Sequence, residues 1–359
     1  MIASLGCMLA HGLLSMVAST STPLPAVVDE ASPAPKIAET RTYRIRQTVM
    51  LADVPETAKE VRLWVPIPAD GTWQHVLDRR VVEAPEGWSL VHQAECDADM
   101  VVVTTKGGGS PKVVVETTVL RESPKYDLAA YAGQELQSKL FYSETKPDAP
   151  LMTADARVSE LAAKACAGEK NLSRKVVKLL DAVANVADHY SKDATKPSCG
   201  RGAAEDCLEN GGGCCTDLHS LFIAAARQQG IPARMQYGYR LKADKEDTEY
   251  DPSYRCWVEF FLPGSGWVPT DIVVADAGEP AARAANYGTL DARRVWLWHG
   301  RGLELTPKQR SAPIQTMSCG WAEIDGEAVD VLPSKDGKPS KLTRTILFQE
   351  LTPKVASAK

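Results

Sequence analysis

Five of the nine cysteines, Cys199, Cys207, Cys214, Cys215 and Cys256, fall within one short stretch of this 359-residue chain. Three kinds of chemistry use clustered cysteine. Zinc sites pair Cys at short spacings such as C-x2-C, and these spacings do not match, so no metal is expected. Disulfides suit an exported chain, with Cys199 and Cys207 the preferred pair because both lie in one loop. The third chemistry is nucleophilic, and its candidate is Cys215. This residue follows Gly211-Gly212-Gly213 and stands at the head of a helical pattern. Unpaired N–H groups and the dipole at a helix N-terminus favour a thiolate. The glycines let a substrate backbone come close. Against this stands the plainer role of a small apolar residue packed under the helix.

The elements that must position such a thiol are legible around it. The helix runs from about Thr216 to Gln229, with Leu218, Leu221, Phe222 and Ala225 as its buried stripe and Gly230-Ile231-Pro232 as its stop. Asp155–Cys166 and Ser173–Tyr190 also carry helical spacing, with Val176, Leu179, Leu180 and Val183 recurring at three and four residues. Residues Lys196 to Gly213 read as a loop. Met235–Leu241, Tyr254–Leu262 and Gly266–Asp271 read as strands, the last two joined by the turn Pro263-Gly264-Ser265-Gly266. Upstream, Thr42 to Leu120 is all β in character. Tyr43–Val49 and Val61–Val65 alternate at period two, and Met100–Val103 and Val113–Val119 are β-branched runs, a spacing that suggests a sandwich or meander. The loop Lys242–Pro252, Arg293-Arg294 and Lys335–Lys341 read as solvated surface.

Composition narrows the classes. Apolar residues make up 44% and charged residues 24%, which suits a globular chain with a sizeable core and excludes wholesale disorder. The net charge of −5 lacks the basic excess of nucleic-acid-binding proteins, so no nucleic-acid partner is expected. No apolar run is long enough for a membrane span. Ile2 to Ala18 is nearly all apolar or small, followed by Val17-Ala18-Ser19 as a cleavable position, and this predicts a signal peptide over 1–19 and a secreted or periplasmic protein. A linker rich in Ser, Thr and Pro is expected over 20–40.

The run Gly213-Cys214-Cys215-Thr216-Asp217-Leu218-His219-Ser220-Leu221-Phe222, then Arg227 and Gly230-Ile231-Pro232-Ala233-Arg234, resembles the core of the transglutaminase-like superfamily. The likeness continues through Cys256-Trp257-Val258-Glu259-Phe260 and Gly266-Trp267-Val268-Pro269-Thr270-Asp271. It is most similar to the bacterial secreted branch. The resemblance implies an α+β fold. An N-terminal all-β, sandwich-like domain over 41–122 would precede a papain-like core over 150–275, with the Cys helix packed on an antiparallel sheet. Residues 276–350 would form a C-terminal extension packed on that core. It also implies a Cys-His-Asp set acting on amides, with no cofactor.

Carried over by motif, the nucleophile is Cys215 and the Asp is Asp271. The His position, just before Cys256-Trp257, holds Arg255. A guanidinium stays protonated and cannot serve as general base or acid, but beside Cys215 and held by Asp271 it would favour a thiolate. His219, one helical turn beyond Cys215, is a surrogate base on one reading and a packing residue on the other. His299, near Trp296 and Trp298, is a further candidate, whereas His75, His92 and His189 show no constellation. Cys256 is expected to point to the opposite strand face from Arg255. Two functional readings follow. One is an impaired thiol site, a pseudoenzyme binding peptide or protein amides. The other is an active cysteine peptidase, amidase or transamidase using Cys215 with His219. The oligomeric state is left open.

Overall fold

The computed structural model describes residues 34–131, 144, 151–198, 200–329 and 340–352. The expected signal peptide, much of the expected linker, and Cys199 lie outside the described residues.

Six strands come first: β1 (Lys36–Leu51), β2 (Val61–Ile67), β3 (Gln74–Glu83), β4 (Ser89–Gln93), β5 (Ala98–Thr105) and β6 (Lys112–Lys125). The middle of the chain supplies α1 (Ala156–Ala165), α2 (Leu172–Val186), β7 (Asp188–His189), α3 (Ala204–Asn210), β8 (Gly212–Gly213) and α4 (Cys215–Gln228). Then follow β9 (Ala233–Arg240), β10 (Arg255–Leu262), β11 (Gly266–Thr270), α5 (Ile272–Asp276) and β12 (Arg294–His299). The last strands are β13 (Trp321–Ile324), β14 (Glu327–Ala328) and β15 (Leu342–Glu350).

The N-terminal strands build two antiparallel sheets, one ordered β15-β1-β6-β3 and the other β14-β13-β2-β5-β4. Period-two patterning drives this layering. In β1, Tyr43, Ile45, Val49 and Leu51 turn inward while Arg44 and Met50 face out. Facing Val49 and Leu51, the side chains of Leu63, Val65, Val101 and Val103 close a shared core.

The second unit is mixed. Its sheet has the order β11-β10-β9-β12, all antiparallel, and α4 packs across one face. From Thr216 to Arg227 every residue of α4 is buried, so this helix is the hub of the unit, with α1, α2 and α3 packed on it. Its C-terminal Arg227 is satisfied by two bonds to the Ala233 carbonyl, at 3.0 and 2.8 Å.

Several elements differ from the sequence reading. Residues 204–210, read as loop, form α3, two turns too short to show a period. β3 and β4 were not foreseen, because they are edge strands whose Leu77, Val82 and Leu90 are exposed and blur the alternation. The 276–350 segment does not act as one extension. β12 joins the core sheet, whereas β13, β14 and β15 return to the two sandwich sheets, β15 pairing with β1 from Tyr43–Glu350 to Leu51–Leu342. Leu342, Ile346 and Phe348 alternate inward on β15, and burying that face requires the sandwich.

Candidate functional site

The site is built at the head of α4. Cys214 is the N-cap, with extended backbone, and Asp217 closes a capping box by accepting the Cys214 N–H at 2.9 Å. Gly213 is required here, because a Cβ on it would lie 2.6 Å from Asp217 Oδ2. The short parallel pairing of β7 with β8 places His189 beside Gly213 and anchors the loop before the cysteines.

Cys215 opens the helix and is partly exposed, unlike the fully buried residues that follow. Its thiol is hydrogen-bonded to Cys214, which favours the thiolate, but the Cys256 thiol and burial outweigh this and push its pKa above the ordinary thiol range. The Cys256 thiol and burial thus oppose the helix dipole, while the Cys214 contact works with it.

Cys256, on β10, turns toward α4. Its sulfur lies 3.2 Å from His219 Nδ1 and 3.7 Å from Thr216 Oγ1, and Thr216 in turn meets the Tyr254 hydroxyl at 3.2 Å. His219 is fully buried. The Ile272 N–H donates to its Nε2 at 3.1 Å, so the Nε2 lone pair is engaged there. That hydrogen bond assigns the ring proton to Nδ1, which donates to the Cys256 sulfur. Asp271 Oδ1 stands 3.5 Å from Nε2.

Asp271 is the N-cap of α5, accepting from the N–H groups of Val273 at 2.9 Å and Val274 at 3.4 Å. Burial would raise its pKa, but the paired Arg294 guanidinium and the backbone donors of α5 hold it well below the usual carboxylate range. Arg294 comes from β12 and sits over the Trp257 ring at 5.8 Å.

Arg255 makes no ion pair with Asp271, which is paired with Arg294 instead. Neighbouring residues on a strand alternate faces, and Cys256 is the one that meets α4, whereas the Arg255 charge is felt at His189 beside Gly213. Arg255 is half-buried, donates to the Tyr254 carbonyl at 2.9 Å, and makes no ion pair among the described residues. The residue that holds Asp271 is Arg294, which the sequence reading assigned to solvated surface. It is buried, and nothing in a lone Arg-Arg pair signals this before β12 is placed against β9.

His189 was also passed over. Burial lowers its pKa, and its imidazole lies within reach of the field of His219, Asp271 and Arg255. Its Nδ1 meets Ser191 Oγ at 2.7 Å. His299 lies elsewhere, on β12 opposite Gln236. Cys96, Cys166, Cys207, Cys214, Cys215, Cys256 and Cys319 form no disulfide with one another; Cys199, the partner expected for Cys207, lies outside the described residues. Among the described residues no group of three or more His, Cys, Asp or Glu side chains is arranged to hold a metal ion. No helix among them is long and apolar enough to cross a membrane.

Comparison with known proteins adds three findings. The family model described as the transglutaminase-like superfamily matches residues 159–272, which span α1 to the start of α5. A Haemophilus influenzae protein described as uncharacterized is 26% identical over 337 residues, covering 82% of this chain and 89% of that protein. A crystal structure from Cytophaga hutchinsonii, described provisionally as a cysteine protease, superposes with a TM-score of 0.55 at 15% identity, covering 89% of this chain and 93% of that one. The last likeness is one of fold.

Proposed function

Because the chain is a transglutaminase-like superfamily protein, related in fold to cysteine-protease-like structures, we propose that its Cys215 end binds a peptide or protein amide and does not turn it over at an enzymatic rate. The family chemistry needs a thiolate to attack the amide carbonyl, an imidazole to carry the proton to the leaving amine, and a carboxylate to orient that imidazole. One observation carries the reading. The site's imidazole, His219, has its Nε2 lone pair engaged by the Ile272 N–H and its Nδ1 turned to Cys256, so it offers Cys215 no base. The raised Cys215 thiol supports the same conclusion. Arg255 adds a positive charge without a transferable proton.

Amide hydrolysis assayed with a fluorogenic peptide amide tests this. Wild type is expected to stay near background and to bind the peptide as well as Cys215→Ala does. Robust turnover that Cys215→Ala abolishes overturns the proposal. The second reading, an active peptidase, amidase or transamidase with His219 as base, is favoured by one contact chain: Cys215 bonds Cys256, which bonds His219 beside ionised Asp271. That route requires Cys256, so Cys256→Ala removes turnover if the second reading is right.

We also place the protein outside the cytoplasm, on the apolar stretch Ile2 to Ala18. Six of the seven described thiols are buried, which protects them in an oxidising compartment.

A further inference from the structure

Arg255 opens β10, and both of its chain neighbours reach the first turn of α4. The Tyr254 hydroxyl meets Thr216 Oγ1 at 3.2 Å, and the Cys256 sulfur meets the same oxygen at 3.7 Å. Arg255 is therefore held between the two contacts that tie β10 to the helix head, where Thr216 follows Cys215. On the other flank its charge is felt at His189, which pairs with Gly213 in the loop that leads into Cys214 and Cys215. Of the seven described thiols, Cys215 is the one that is not buried.

The carboxylates around this helix head already have partners. Asp271 is paired with Arg294, and Asp276 with Lys192 at 3.0 Å. Asp217 accepts the Cys214 N–H at 2.9 Å. Asp251 accepts the Ser253 N–H at 2.8 Å and faces Arg344 at 3.8 Å. Two arginines here have no carboxylate partner among the described residues, and they differ. Arg301 uses its donors inside the protein, on the carbonyls of Gln315, Gly202 and Arg201 and on the Ser220 hydroxyl. Arg255 makes one hydrogen bond among the described residues, from Nη1 to the Tyr254 carbonyl at 2.9 Å, and it is half-buried. A guanidinium has five N–H donors in a fixed fork, and most of this fork is left for an acceptor from outside the chain. Partial burial lowers the local dielectric, which strengthens a contact with an anion there.

We infer that the ligand of the Cys215 site carries a carboxylate beside its amide, received by the Arg255 guanidinium. The inference rests on the amide-binding role proposed above and narrows its ligand to acidic peptides. The carboxylate is either the free C-terminus of the peptide or an Asp or Glu side chain next to the amide. Both present two coplanar oxygens that match the guanidinium fork. Arg255 is in this account a specificity-determining residue: it selects the ligand by charge and takes no part in proton transfer.

Tetra-alanine carrying a neutral fluorophore at its N-terminus tests this in four forms. They are the C-terminal acid, the C-terminal amide, the amide with Glu at its third position, and the amide with Gln there. Each is titrated with the full chain and followed by fluorescence anisotropy. At least one acidic form is expected to bind about tenfold or more tighter than its neutral counterpart, the effect of one charge-assisted contact. The pair that shows the gap identifies the source of the carboxylate. Arg255→Met is expected to weaken the acidic form to the level of the neutral one and to leave the neutral forms unchanged. Acidic and neutral forms that bind wild type alike, or a gap that survives Arg255→Met, overturn the inference and leave amide binding standing. Absence of binding by all four forms overturns both.

Discussion

Replacing Arg294 with Met tests it as the counter-ion of Asp271, the place the sequence reading gave to Arg255. In the folded chain the Asp271 and Arg294 side chains are 7% and 4% exposed and directly paired. Arg294→Met leaves a buried carboxylate with only His219 and two backbone donors beside it. Removing one partner of a buried pair costs about 3–5 kcal/mol. At about 2 °C per kcal/mol for a chain of this size, the melting temperature at pH 7 falls by about 6–10 °C. Arg255→Met, by contrast, removes a half-buried side chain with no ion pair and is expected to move it by about 1 °C or less. The pH dependence supplies a second check. A carboxylate whose folded pKa lies below its unfolded value, about 3.9 for Asp, adds stability above that value, which is lost as pH falls through the folded pKa. Without Arg294, burial dominates and raises the Asp271 pKa, so the variant takes up a proton on folding as the solution is acidified. Its deficit against wild type is then largest near pH 7 and narrows toward pH 4.5. Calorimetry across that range decides the matter. Equal melting temperatures for wild type and Arg294→Met at pH 7, a larger loss in Arg255→Met, or a deficit that stays constant down to pH 4.5 refutes the assignment of Arg294 as the counter-ion.

The raised Cys215 thiol predicts slow alkylation by iodoacetamide at pH 7, with a rate that climbs about tenfold per pH unit through pH 9; a plateau below pH 8 contradicts it. Gly213→Ala drives a methyl group against Asp217 and breaks the capping box, and is expected to lower stability in urea by about 1–2 kcal/mol; an unchanged midpoint contradicts that. Burial and the nearby Arg234 push the His299 pKa down to about 3, so its ring stays neutral from pH 8 to pH 5, and the stability this confers is present above the unfolded value near 6.5 and lost as pH falls toward 3. Ring-proton NMR that shows His299 titrating near pH 6.5 contradicts it.

Local signals carried well through the centre of the chain. The heptad-like stripe Leu218, Leu221, Phe222 and Ala225 fixed α4 to within a residue at each end, because a helix that buries one stripe must repeat near 3.6. Alternation in Tyr43–Val49 and Val61–Val65 located strands that are buried on one face. Edge strands and two-turn helices escaped because their exposed or short patterns do not differ from loop.

By itself the sequence determined the helix with Cys215 at its head, the three strands that pack against it, and the kinship of residues from Gly213 to Asp271 with a family of amide chemists. Tertiary structure alone decided which charges meet there. Arg294 reaches Asp271 because β12 pairs with β9, His219 turns to Cys256 because α4 lies across β10, and the last strand closes a sandwich begun about three hundred residues earlier. Periodicity reports which face of one element is apolar. Electrostatic partnership depends on distances between elements far apart along the chain, and no local pattern encodes them.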